Sequence, residues 1–155
     1  MNKLLKNILF AAVIAVGGFI LLNLTFIFDA LFQNSIRALV KLFIPLNPEM
    51  DLYWFPPLMH GSFVIIIALI SWFVFKSKLK LLYKAIYMAV PVATVLVTLG
   101  MFLNHWPIIS YSLGGLLCLG TLYYFYRTKQ PWLYYYTVIL VGLTLAIFTL
   151  LGGEI

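Results

Sequence analysis

The chain has 155 residues, of which 65% are hydrophobic and 9% charged, with a formal net charge of +6. So little polar material cannot cover so much apolar surface in water, which excludes an ordinary soluble domain and points to an all-α integral membrane protein. The length fits a single polytopic membrane domain, the basic balance reads as lysine-rich cytoplasmic loops and not as a nucleic-acid surface, and the single cysteine, Cys118, excludes an internal disulfide and a multi-thiolate metal site.

A transmembrane helix needs about 20 apolar residues to cross about 30 Å of hydrocarbon. Five runs meet this requirement within a few residues: about 8–28, 58–75, 85–103, 107–126 and 132–151. They are continuously apolar and do not alternate every second residue, which favours helices over a β-barrel. Lys3 and Lys6 ahead of the first run imitate the start of a signal peptide, but the run is long and lacks an A-x-A site at its end, so a retained span is expected.

The connection after the first span is the long one. Over about 30–44 its apolar residues Leu31, Phe32, Ile36, Leu39, Val40, Phe43 and Ile44 follow a helical stripe, with Gln33, Asn34, Arg37 and Lys41 opposite. This predicts an amphipathic helix lying on the outer membrane surface, ended by Pro45 and Pro48. Pro56 and Pro57 then open the second span, where a missing N–H costs little. Pro91 predicts a kink in the third span, and Ala85, Ala89 and Ala93, four residues apart, predict close helix packing. Asn23 lies deep in the first span and is expected to seek a partner on another helix. The segments 57–103 and 107–152 match in the position of a proline, an aromatic end and a basic turn, a pattern consistent with a parallel repeat.

Charge orients the spans. With the N-terminus cytoplasmic, Lys3, Lys6, Lys76, Lys78, Lys80, Lys84, Arg127 and Lys129 lie inside, and Arg37 and Lys41 lie outside with all four acids, Asp29, Glu49, Asp51 and Glu154. That bias predicts an inside N-terminus and an outside C-terminus, in a bacterial or archaeal cytoplasmic membrane. Tyr and Trp cluster at both ends of the spans, as side chains with one apolar and one wet side do.

The scarce polar chemistry therefore collects on the outer side: Asp29, Glu49, Asp51, His60, Asn104 and His105, flanked by Trp54 and Trp106. Imidazole with carboxylate can ligate a metal, exchange protons in catalysis, or hold a proton or cation at a membrane entrance. No spacing here matches a known metalloprotease, nucleophile-elbow or phosphate-loop motif. No metal and no cofactor is expected, and no charge sits at mid-membrane, which argues against a voltage sensor or a charged ion path.

Trp54, Phe55, Pro56 and Pro57, together with Leu103–Pro107 ("LNHWP"), resemble two elements of the translocator (tryptophan-rich sensory) proteins, which are also small and five-spanning. The first loop here is longer, the fourth span starts sooner, and the aromatic and Asn-rich fifth-span pattern is absent. The resemblance implies a similar shape and carries no activity over.

Three readings follow. The first is binding or transport of an apolar or lipid-like ligand from the outer leaflet, with Asp29, Trp54, His60, Asn104, His105 and Trp106 as ligand-binding residues. The second is a subunit without its own chemistry, in a homo-oligomer or a larger membrane complex. The third is an embedded enzyme acting on a lipid-type substrate through His60 and His105 with Glu49 or Asp51.

Overall fold

The computed structural model describes residues 2–43 and 55–151, and within them the chain is five helices and their turns. The helices are α1 (Lys3–Phe43), α2 (Phe55–Lys76), α3 (Leu81–Phe102), α4 (Pro107–Arg127) and α5 (Trp132–Leu150). Each contains a segment long and apolar enough to cross a membrane. α2 to α5 begin and end within a few residues of the expected spans.

α1 differs from expectation. It is one helix of 41 residues, about 60 Å long and so about twice the hydrocarbon thickness. The segment from residue 30 is helical, as its stripe predicts, but it continues α1 without a break and is not a separate surface helix. The reason is local: after Gly18 the chain has no Gly or Pro until Pro45, so nothing stops the helix. The stripe is also split. Phe32, Ile36 and Val40 are half-buried, whereas Leu31 and Leu39 are exposed. Phe32 packs on Phe63 of α2, ring centroids 6.1 Å apart.

α3 is the hub and packs against all four other helices. Its small residues make this possible. Ala85, Ala89 and Ala93 are buried, and a Cβ added to Gly18 of α1 would lie 3.3 Å from the Cβ of Ala89. Backbones that close gain dispersion along their length, which substitutes for the hydrophobic driving force that lipid removes. Three apolar clusters result. One joins α1, α3, α4 and α5 through Ile14, Ala85, Met88, Phe125, Leu133, Tyr134 and Val138. A second joins α2 and α3 through Phe63, Ile67 and Val90, with Leu21 and Phe32 of α1 against it. The third centres on Ala89, Ala93 and Val141.

The first cluster marks the basic end of the bundle, where the turns are tightly tied. Lys84 Nζ donates to the Phe75 carbonyl at 2.7 Å and satisfies an orphan acceptor at the end of α2. α4 ends with Lys129 in the left-handed region at φ 51°. Gln130 N–H donates to the Phe125 carbonyl and Lys129 N–H to the Tyr126 carbonyl, a Schellman closure with lysine in the position glycine usually takes. Pro131 then leads into α5.

Candidate functional site

At the far end, where α1, α2 and α3 meet, polar side chains form one connected line. Helical spacing of four places Asp29 and Gln33 on one face of α1 and Thr94 and Thr98 on one face of α3. The proline pair at the start of α2 puts His60 in its first turns. Gln33 Nε2 donates to Asp29 Oδ1 at 3.0 Å, and Asp29 Oδ2 lies 3.8 Å from His60 Nδ1. His60 Nε2 lies 3.0 Å from Thr98 Oγ. The Thr98 hydroxyl also lies 2.6 Å from the Thr94 carbonyl, to which it can donate.

A threonine hydroxyl has one proton to donate. The Thr98 hydroxyl can donate to the Thr94 carbonyl or to His60 Nε2, and a different tautomer of the imidazole goes with each. His60 Nδ1 faces the Asp29 carboxylate. Nδ1 is buried and has no hydrogen-bond partner among the described residues. The His60 side chain is 8% exposed, and Phe102 flanks the imidazole at 6.3 Å between centroids.

Of the residues singled out from the sequence, the structure brings Asp29 and His60 together. His105 and Trp106 are exposed in the turn between α3 and α4, and His105 shares no hydrogen bond with His60 among the described residues. Glu49, Asp51 and Trp54 lie outside the described residues. No group of three or more His, Cys, Asp or Glu side chains among the described residues is placed to hold a metal. Gln33 and Thr98 were not singled out. The i, i+4 spacings Asp29–Gln33 and Thr94–Thr98 were the available signal. Asn23 finds no cross-helix partner: its amide donates to the Phe19 carbonyl of its own helix at 2.8 Å, on an exposed face.

A second feature lies on the other side of α3. α4 contributes a single buried residue, Phe125 at its basic end. Between α3, α4 and α5 lie a cleft of about 890 Å³ towards the far end and a second of about 640 Å³ towards the basic end. The two share Leu96, Cys118 and Val138 on their border. Gly100, Gly114, Gly115, Gly142 and Ala146 line the larger one; a Cβ at Gly115 would meet open space, whereas one at Gly142 would lie 3.2 Å from Cys118 Sγ. Its wall is apolar, and its polar groups, Asn104, Ser110, Tyr111 and Thr149, all sit towards the far end. Asn104 is the one expected ligand residue that lines it. Comparison with known protein families, curated proteins and solved structures returns no match for this chain.

Proposed function

We propose that this protein binds a lipid-like molecule, one apolar chain with a polar head, in the cleft between α3, α4 and α5. The observation that carries this reading is the polarity gradient of the cleft: apolar from Val138 to Ala146, polar at Asn104, Ser110 and Tyr111. From Val138 to Leu150 along α5 is about 18 Å at 1.5 Å per residue, close to the depth of one leaflet. Binding sites for small molecules are mostly apolar with a few polar groups that fix orientation, and this cleft has that make-up. The basic residues favour an orientation with the far end outside, so the molecule enters from the outer leaflet, and the C-terminus lies outside. Cysteines placed at Lys78 and Asn104 would then react with an impermeant thiol reagent from the inside and the outside respectively; the reverse pattern would overturn this orientation.

The test of the cleft is Gly115→Trp. Gly115 lines the cleft and a Cβ added there meets nothing within 4 Å, so the substitution begins without a backbone clash. Native mass spectrometry of the detergent-released protein should show a lipid-mass adduct on the wild type, and its loss in the folded variant. An adduct that survives Gly115→Trp unchanged would refute this site.

The glycine lining supports one rival. Small residues are also where a partner's transmembrane helix approaches closely, so a subunit of a larger membrane complex would use the same face. In that case the wild-type spectrum carries a polypeptide mass in place of the lipid. The enzymatic reading needs Glu49 or Asp51 beside His60 and His105; both acids lie outside the described residues, and no hydrogen bond joins the two histidines among the described residues.

A further inference from the structure

The smaller cleft, at the basic end, carries a polar group that no protein contact satisfies. Phe75 of α2, Met88 and Pro91 of α3, Phe125 of α4 and Tyr134 of α5 stand on its wall, with Gln130 from the turn before α5. Tyr123, Tyr124 and Tyr126 on α4 are exposed, as interface anchors are. Tyr134 is different: it is 8% exposed. Its ring is held between Phe75, nearly perpendicular at 6.5 Å between centroids, and Phe125 at 5.8 Å. Tyr87 on α3 meets Ser71 Oγ at 3.2 Å, but the Tyr134 hydroxyl makes no hydrogen bond among the described residues. Nor is that hydroxyl sealed in, since the one enclosed side-chain polar atom without a partner among the described residues is His60 Nδ1. The free space it opens onto is the cleft that Tyr134 lines.

We infer that the smaller cleft is a second binding site, for an uncharged lipid whose head is a flat ring bearing a carbonyl, the chemistry of a prenylated quinone, and that Tyr134 donates a hydrogen bond to that carbonyl. The head is uncharged because of what the wall lacks. Basic residues crowd this end, yet none lines the cleft. Lys76, Lys78, Lys80, Arg127 and Lys129 are exposed, and Lys84 Nζ is bonded to the Phe75 carbonyl. A carboxylate or phosphate head would be buried there without a counter-charge, which is costly. A neutral carbonyl needs only a donor, and a phenol supplies one.

The flat ring follows from the aromatic wall. Phe75, Tyr124, Phe125 and Tyr134 gather at one end of the cleft, and a planar head meets such rings edge to face or offset. The cleft's volume of about 640 Å³ lies inside the usual range for small-molecule sites, about 300–1,000 Å³. An apolar tail has a way onward, because the wall continues into the larger cleft at Leu96, Cys118 and Val138. Tyr134 does not line that larger cleft, so this site stands whether or not a lipid occupies the other.

Native mass spectrometry of the detergent-released protein titrated with decylubiquinone tests the site. The wild type should bind one molecule. Tyr134→Phe keeps the ring and its packing and removes the donor, so it should weaken binding about two- to tenfold. Decylbenzene, a ring and tail without a carbonyl, should bind both proteins alike. Leu117→Trp, on the exposed wall of the smaller cleft alone, should block decylubiquinone, and Gly115→Trp in the larger cleft should leave its affinity unchanged. The inference is overturned if the wild type binds no decylubiquinone, or if Tyr134→Phe binds it as tightly as the wild type, which would make the hydroxyl merely hydrated. Oleate displacing decylubiquinone at equal concentration would overturn the uncharged head. Loss of the adduct in Gly115→Trp but not in Leu117→Trp would place the ligand in the larger cleft and overturn this site.

Discussion

Single hydroxyls decide much at the residue scale. Thr98 lies within hydrogen-bonding distance of the Thr94 carbonyl of its own helix, as membrane threonines commonly do, and of His60 Nε2 on α2. Thr137 is fully buried, and its one proton is shared between the carbonyls of Leu133 on its own helix and Ala85 of α3, each at 3.0 Å. Interhelical side-chain bonds in membranes average about 0.6 kcal/mol and reach about 1.7. Thr137→Val keeps the shape and removes the bond. It should lower unfolding stability in mild detergent by about 0.5–1.5 kcal/mol; no change would mean the bond to Leu133 alone occupies the hydroxyl. Reading such partners from sequence fails for a physical reason. A hydroxyl four residues from a carbonyl of its own helix always has a local answer, and only the neighbouring helix reveals a second one. Asn23 shows the converse, since its expected cross-helix partner proves to be the Phe19 carbonyl one turn back.

At the scale of elements, hydropathy locates helices well and helix ends poorly. α4 and α5 open where Pro107 and Trp132 stand, close behind a proline or at one, because proline punctuates the chain in a way sequence displays directly. α1 was harder. Asp29 and the amphipathic stripe behind it mark where the chain leaves the apolar phase, and leaving that phase is not the same as ending a helix. The absence of Gly and Pro from residues 19–44 was the signal that the helix continues. The junction of α1 with α3 carries the clearest prediction of this kind. A Cβ at Gly18 sits 3.3 Å from Ala89 Cβ, and one at Gly17 sits 3.1 Å from Ile86 Cγ2. Gly18→Leu forces α1 away from Ala89 and Ala93 and should cost about 1–3 kcal/mol, as overpacking does. Denaturant titration followed by tryptophan fluorescence would measure it. A stability within error of the wild type would mean that α1 can tilt aside at no cost.

For the whole molecule, α3 divides two kinds of space. On one side α1 and α2 close over the polar line from Gln33 to Thr94, and on the other the clefts lie between α3, α4 and α5. Composition and charge made the first division legible, since acids and histidines collect at one end of the spans. The clefts were not legible. They depend on how α4 packs against α3 and α5, and a glycine in an apolar run reads equally well as a close contact or as an open space. Gly18 is the first kind and Gly115 the second.

The central claim is that a lipid-like chain lies in the cleft and is distinct from the lipid that coats the bundle. Photocrosslinking with a diazirine-bearing fatty acid in nanodiscs, followed by peptide mapping, tests it most directly. The account predicts adducts concentrated on Leu96, Cys118 and Leu145, three residues of the cleft wall on three helices, and their loss in Gly115→Trp. Adducts spread evenly over exposed residues such as Phe19, Ile65 and Phe73, and unchanged in that variant, would contradict it.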